Sequence, residues 1–276
     1  MKTLKKCFGL AGGRKSGLSF ATFAICAIIL LAVPLQISCS DSGDDNGDSN
    51  PDETRQNIDQ QMILVPGRTY SILKTEVTQE LYESVMDENP SSFKGEKNLP
   101  VEQVSWYDAV YFCNKLSAKC GLTPVYAVAG EPDVEKWGYA PHKEEKITGT
   151  VSQNKNVDGY RLPTLEECQY AAKGGQDYDY SGSDDLDEVG WYSENSGDKT
   201  HPVAQKDPNG YGLYDMSGNV YEWCGGPYPN YSKSRYCCGG SWSSNADDCE
   251  VGDKREADAN NTNRNFGFRI VRSTGK

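Results

Sequence analysis

One fifteen-residue stretch, residues 209–223 (NGYGLYDMSGNVYEW), brings together residue types that bind a hard metal ion. Asp215 and Glu222 supply carboxylate oxygens, which are ligands that Ca²⁺ prefers. The carbonyls of Gly218 and Val220 are two residues apart, so they would point the same way on an extended segment. These four residues are therefore the predicted ligands of a structural calcium ion. The alternative is that both carboxylates only cap turns.

The ten cysteines could supply soft metal ligands or disulfides. Seven lie beyond the first 39 residues: Cys113, Cys120, Cys168, Cys224, Cys237, Cys238 and Cys249. Because seven is odd, at least one thiol is unpaired within the chain. Cys113 and Cys120 would lie about 10 Å apart along one helix, too far for a disulfide, so Cys113 is predicted to be a buried thiol. No CxxC pair indicates zinc, and the sequence does not determine the pairing of the other five.

The histidine content and the charge balance argue against several classes of function. The chain has two histidines, of which His142 lies in a polar stretch and His201 precedes Pro202. Neither arrangement favours a Ser/His/Asp triad or a multi-histidine metal site. The formal net charge is −12, so the protein is not expected to bind nucleic acid, whose phosphates attract basic surfaces.

Capping signals predict three helices that position these stretches. Their predicted N-caps are Thr78, Ser105 and Thr164. Asp108 and Glu167 stand three residues after the second and third caps, which completes a capping box in each case. Two short strands are expected at residues 62–66 and 69–75. Residues 126–158 are polar and turn-rich, so they are predicted to form a surface excursion.

The first 39 residues resemble a bacterial lipoprotein signal. A basic segment precedes a mostly apolar run at residues 18–35, and Cys39 follows shortly after it. Residues 1–38 are therefore predicted to be a signal peptide, with Cys39 as the lipidated N-terminus of the exported protein. This anchor would hold the protein in the cell envelope, at the outer membrane or the cell surface. The alternatives are an uncleaved membrane anchor and an ordinary signal peptide.

Residues 39–60 separate this leader from the rest of the chain. They are acidic and show no apolar periodicity, so they are predicted to be a disordered tether. Residues 61–276 are predicted to form a single domain, because 37% hydrophobic and 11% aromatic content is enough to build a core.

Four motifs in the body of the chain resemble those of the formylglycine-generating enzyme, or sulfatase-modifying factor, family. They are RLPTLEECQYAAKGG at 161–175, GLYDMSGNVYEW at 212–223, GGSW at 239–242 and GFRIVR at 267–272. The resemblance covers residues 62–273. It implies an α+β fold, the irregular and loop-rich formylglycine-generating-enzyme fold related to C-type lectins. It also implies that the four residues of the 209–223 stretch bind calcium.

The same resemblance bears on catalysis. Active members of the family carry two cysteines, five residues apart, after the GGS motif, and these bind copper(I) and oxidise a substrate cysteine. Here the two positions are Ser244 and Cys249. A serine hydroxyl is a hard ligand that does not replace a soft thiolate, so copper is not expected. Cys249 is then either an active thiol with an unconventional partner, such as the Cys237–Cys238 pair, or a disulfide or buried thiol.

The sequence thus favours an exported, lipid-anchored, monomeric protein that acts as a non-catalytic binding or scaffold module. Its partner would be a protein or a glycan. The alternative is an oxidase that converts a sulfatase cysteine to formylglycine, and a third hypothesis is a structural component of an envelope complex. The polar run at residues 260–265 could form a ligand-binding face, or it could be an ordinary solvated loop.

Overall fold

The computed structural model describes residues 50–143, 146–226 and 233–274. The helices of these segments are α1 (Pro51–Asp59), α2 (Gln79–Met86), α3 (Trp106–Lys119), α4 (Leu165–Lys173) and α5 (Leu186–Val189). The strands are β1 (Met62–Leu64), β2 (Tyr70–Leu73), β3 (Tyr126–Val128), β4 (Val151–Gln153), β5 (Tyr160–Arg161), β6 (Tyr221–Trp223), β7 (Ser234–Cys238), β8 (Arg255–Asp258), β9 (Phe266–Gly267) and β10 (Val271–Ser273). No helix of these segments is long and apolar enough to cross a membrane.

The strands form two four-stranded sheets and one hairpin. The first sheet has the antiparallel order β1-β2-β10-β5. The second has the order β8-β7-β6-β9, in which β6 and β9 run parallel. Strands β3 and β4 pair only with each other among the described strands. Glu222 lies in the middle of the second sheet, because it pairs with Cys238 on one side and with Gly267 on the other.

The predicted helix caps are confirmed. The side chain of Thr78 accepts a hydrogen bond from the backbone of Leu81 at the start of α2. Ser105 and Asp108 form both bonds of a capping box at α3, and Thr164 and Glu167 do the same at α4. These bonds satisfy backbone N–H groups that have no partner within the helix, which is why the local sequence was sufficient to predict them.

Most of the core surrounds helix α3. The interior face of α3 carries Phe112 and Leu116, which are fully buried with Trp223 and Phe268 from the C-terminal half. A second cluster lies around α4, where Cys168 and Ala171 pack with apolar residues of β2 and β7. Cys113 is a buried free thiol, as the sequence predicted.

Part of the predicted tether is helical, which corrects the expectation of disorder for residues 51–59. The side chain of Asn50 caps α1, and Pro51 starts it. Ile58 is buried, and the carboxylate of Asp59 lies 2.9 Å from Nη1 of Arg272 in β10. A single apolar residue and one long-range ion pair leave no periodic signal in the sequence. Residues 39–49, including Cys39, and the predicted signal peptide at 1–38 lie outside the described residues.

The expected surface excursion at 126–158 is also corrected. Its described residues contain the β3–β4 hairpin and several core side chains, among them Trp137, Tyr139 and Ile147. His142 lies in this segment, and its Nε2 is 2.8 Å from the hydroxyl of Tyr82 in α2. Widely spaced aromatic residues therefore anchor a polar segment to α3.

Candidate functional site

The 209–223 stretch folds into a buried corner that leads into β6. Asp215 and Asn219 have left-handed backbones, with φ of 55° and 60°. Gly218 has a φ of 91°, and a Cβ at this position would collide with the carbonyl oxygen of Trp191. The segment requires glycine at 218 for both reasons. The turn directs the side chain of Asp215 inward, beside that of Glu222.

A cluster of charged residues fills this corner, and we call it the carboxylate cluster. It consists of Glu76, Asp215, Glu222 and Arg269, and each side chain belongs to a residue that is at most 2% exposed. Three carboxylates thus face a single guanidinium group. A buried charge without a partner is costly, so this composition calls for a further positive charge or for protonation of a carboxylate.

Arg269 is the centre of the cluster. Its Nε and Nη2 atoms each lie 2.6 Å from an oxygen of Glu222, which is a bidentate ion pair. It also donates to the backbone carbonyls of Leu73 and Tyr214, so it ties β6 to the end of β2 and to the 209–223 turn. Glu76 accepts hydrogen bonds from the side chain of Asn219 and from the backbone of Val220.

The electrostatics of the cluster show the unbalanced charge. Burial, reinforced by repulsion from Asp215 and Glu222, raises the pKa of Glu76 well above its usual range. Burial also raises the pKa of Asp215 to about 6, against the lowering effect of a hydrogen bond from the backbone of Ala204. The other oxygen of Asp215, Oδ1, is buried and has no hydrogen-bond partner.

These observations fit a calcium ion at the predicted position. The unpartnered Oδ1 of Asp215 is a free hard ligand, and Gly218 and Val220 are buried in the same turn. A divalent cation would balance the two carboxylate charges that Arg269 leaves uncompensated. Both oxygens of Glu222 accept hydrogen bonds from Arg269. Glu222 would therefore be a weaker calcium ligand than the sequence suggested.

We expect the substitution Asp215→Asn to act in opposite directions with and without calcium. An acid whose pKa is raised on folding makes the folded state bind more protons than the unfolded state, so the free energy of unfolding falls as pH rises from about 4 to about 6. Removing this carboxyl should therefore stabilise the calcium-free protein at pH 7, by roughly 2 to 3 kcal/mol. Asparagine tolerates the left-handed backbone.

With calcium at ~100 times its dissociation constant, the wild type should gain about 2.7 kcal/mol and the variant much less. Chemical denaturation between pH 4 and pH 7, with calcium or with a chelator, measures both effects. Equal stability of the wild type in calcium and in chelator would refute the calcium site, and an unchanged pH profile in the variant would refute the assignment to Asp215.

The second candidate site is the pair Ser244 and Cys249. Oγ of Ser244 accepts a hydrogen bond from the backbone of Ser241 and lies 3.0 Å from the hydroxyl of Tyr221. Cys249 is completely buried, and burial raises the pKa of its thiol to about 12 although the backbone N–H of Ser241 also faces it. Both side chains therefore lie against the same backbone N–H. The hydroxyl and the protonated thiol do not fit copper(I), which requires thiolates.

Other cysteines are grouped around β6 and β7. Cys168 and Cys238 form a disulfide that joins α4 to β7, and Sγ of Cys224 lies 3.8 Å from Sγ of Cys238. Cys237 is a buried free thiol on the same strand as Cys238. The disulfide leaves Cys238 unable to act as a copper ligand for the Ser244 position.

The polar run at 260–265 lies beside the Ser244 segment. The side-chain amide of Asn265 donates to Oγ of Ser243, and the carbonyl of Arg264 accepts from the indole of Trp242.

The sequence did not identify Glu76 and Arg269 as part of the site. For Arg269 the available signal was a charge within an apolar run, GFRIV, whereas Glu76 stands among polar residues in KTEVTQ and gave no such signal.

Comparison with known proteins supports the architecture described above. The sulfatase-modifying factor enzyme 1-like domain family matches residues 45–274. A relative named chaperone protein LppX, from Paenibacillus barcinonensis, is 40% identical over 231 residues, which cover 74% of this chain and 80% of the relative. A mouse (Mus musculus) relative is named inactive C-alpha-formylglycine-generating enzyme 2, with 33% identity over 43% of this chain and 44% of that protein.

Among solved structures, Treponema denticola variable protein 1 matches with a TM-score of 0.67 and 35% identity, covering 77% of this chain and 91% of that one. The predicted irregular, loop-rich α+β fold is confirmed. The match to residues 45–274 and the identity shared with these relatives establish that the chain belongs to the sulfatase-modifying factor enzyme 1-like domain family.

Proposed function

We propose that this protein is a non-catalytic binding or scaffold module built on the formylglycine-generating-enzyme fold. The observation that carries the proposal is the state of the Ser244–Cys249 pair. One position has a hydroxyl, and the other has a fully buried thiol whose pKa is raised to about 12. Because the copper(I) oxidase chemistry of the family needs two thiolates, a hydroxyl at one of the two positions argues against activation of oxygen at this pair.

The names of two relatives support a binding role. The one that shares 40% identity is called a chaperone, a class of protein that acts by binding other proteins. The mouse relative is called inactive, so loss of oxidase chemistry occurs elsewhere in the family. We therefore propose a protein or glycan as the partner, with the domain acting as a monomer and with calcium as a structural ion.

The alternative function is a formylglycine-generating oxidase that uses Cys249 with an unconventional partner. Retention of Cys249 favours it, because this is the second position of the pair. Packing alone explains a cysteine at position 249, because the thiol lies against Gly240 and out of contact with solvent. An active thiol requires a lowered pKa and access to substrate, and burial here acts in the opposite direction on the pKa.

An oxidase assay separates the two functions. Purified protein supplied with copper(I), oxygen and a cysteine-containing sulfatase peptide should leave the mass of that peptide unchanged. Ser244→Cys should bind copper(I) more tightly than the wild type, because it restores the second soft ligand. Ser243→Cys is the matched control, since it adds a thiol one residue away at an exposed position. Wild-type turnover that is lost in Cys249→Ala would reverse the assignment.

We also propose export and a lipid anchor at Cys39. The basic and apolar leader before this residue motivates the proposal, as it resembles a lipoprotein signal. Growth with a palmitate analogue should label the wild type and leave Cys39→Ala unlabelled. Cys26→Ala, which changes a cysteine inside the leader, is the control and should label normally. Equal labelling of the wild type and Cys39→Ala would show that the anchor lies elsewhere.

A further inference from the structure

A cavity of about 550 Å³ opens between the start of α3 and the β3–β4 hairpin, away from the residues of the carboxylate cluster and of the Ser244–Cys249 pair. We call it the hairpin cavity. Its walls come from Trp106 and Tyr107 of α3, from the segment 146–151, and from Lys233 and Arg235 around the start of β7. This volume is in the range of small-molecule sites. The proposed binding function does not yet use it.

The charge of the hairpin cavity is opposite to that of the chain. Three basic residues line it, Lys146, Lys233 and Arg235, and the described lining residues include no aspartate or glutamate. The chain as a whole has a formal net charge of −12. Three cations converging on one concave surface of such an acidic protein attract an anion, and low-dielectric walls strengthen this attraction.

The walls of the hairpin cavity also determine the shape of what it can hold. The guanidinium carbon of Arg235 lies 4.1 Å from the centre of the Trp106 ring, so this cation is held in place by stacking. Tyr107, Ile147 and Val151 supply aromatic and apolar surface. Nε2 of Gln153 is buried without a hydrogen-bond partner, which leaves a donor at the wall of the cavity.

We propose that the hairpin cavity binds an organic anion with a flat apolar body. The body would pack on Tyr107 and Val151, and the anionic group would lie among the basic residues and accept a hydrogen bond from Gln153. Lys146 and Lys233 are exposed, so they contribute charge at the mouth, whereas Arg235 is buried and contributes a fixed donor group. The proposal rests on the binding function proposed above and adds a small-molecule ligand to it, distinct from the protein or glycan partner.

The test uses two fluorescent probes that differ by one group. 8-Anilinonaphthalene-1-sulfonate carries a flat aromatic body and a sulfonate, and N-phenyl-1-naphthylamine has the same body without the anion. The sulfonate probe should bind the native protein with one saturable site and at least about tenfold more tightly than the neutral probe. Its affinity should fall as salt is raised from 50 to 500 mM, because exposed charges are screened.

Charge reversal at the mouth tests the location. Lys146→Glu and Lys233→Glu should each weaken binding of the sulfonate probe by about threefold to tenfold and leave the neutral probe unaffected. Lys199→Glu, an exposed lysine away from the cavity, produces the same change in net charge and should have no effect. Unchanged melting temperatures would show that the variants remain folded. Changes in probe binding would then reflect the cavity and not partial unfolding.

Equal affinity for the two probes, or equal weakening by Lys146→Glu and Lys199→Glu, would overturn the proposal. Such a result would not contradict the proposed lack of oxidase activity, which depends on Ser244 and Cys249. Conversely, turnover by the wild type would leave the cavity result standing, so the two failures can be told apart.

Discussion

Replacing Arg269 by methionine should cost the folded protein about 3 to 5 kcal/mol at neutral pH. The substitution keeps much of the aliphatic volume and removes the guanidinium that faces Glu76, Asp215 and Glu222. In calcium-free protein it would leave three buried carboxylates without a cation and free several backbone carbonyls that Arg269 now satisfies.

The free energy of unfolding that Arg269→Met loses should increase as pH rises. Without Arg269 the carboxyl groups of Glu76 and Asp215 become harder to ionise, so their pKa values rise further above those of the unfolded chain. The folded variant then binds more protons than the unfolded chain over a wider range. Its deficit in the free energy of unfolding should therefore be largest near pH 7 and should shrink toward pH 5.

Urea denaturation at several pH values measures this prediction. Arg272→Met is the matched control, because Arg272 pairs with Asp59 in a partly exposed ion pair, which contributes at most about 1 kcal/mol. The double variant Arg269→Met with Glu222→Gln should recover part of the loss, since it removes one of the stranded charges. A cost at neutral pH close to that of Arg272→Met would contradict this account of the cluster.

The same cluster shows which parts of the structure the sequence could predict. The capping boxes at α3 and α4 depend on residues three apart, so a local pattern contained all the information. Asp215 and Glu222 were found because they share one short stretch. Glu76 and Arg269 meet them only after two distant loops and the β6–β9 pairing are formed, and no local rule links such residues.

The corrected segments have the same physical cause. Helix α1 is held by the burial of Ile58 and by the ion pair between Asp59 and Arg272. The 126–158 segment is held by Trp137 and Tyr139, which pack against α3 although polar residues surround them in the chain. In both cases a few contacts with distant residues outweigh a composition that indicates disorder or exposure. Composition alone cannot show where such contacts will form.

We also expect Gly240→Ala to destabilise the protein strongly, lowering the free energy of unfolding by about 3 kcal/mol. Gly240 has a φ of 73°, which alanine adopts with strain of about 1 kcal/mol. A Cβ there would also collide with Sγ of Cys249 and would lie 3.0 Å from the carbonyl oxygen of Asp248. The second glycine of the GGSW motif is therefore required by the buried thiol beside it.

Gly197→Ala separates strain from collision. Gly197 has a φ of 62°, and a Cβ at that position would have no atom within 4 Å, so its substitution should cost only the backbone strain of about 1 kcal/mol. The difference between the two alanine variants then measures the contact with Cys249 and Asp248. Equal losses in the free energy of unfolding at the two positions would mean that the atoms around Gly240 move to accept the methyl group at little cost.

A double-mutant cycle between Gly240 and Cys249 tests what Cys249 does. If the thiol serves packing, Cys249→Ala alone should cost about 1 kcal/mol, and Gly240→Ala should cost less in that background than in the wild type, because the Sγ atom no longer blocks the new methyl group. Recovery would be partial, since the backbone of residue 248 still limits the space. Additive costs would show that Cys249 is not part of this packing, and its retention beside Ser244 would then need a chemical explanation.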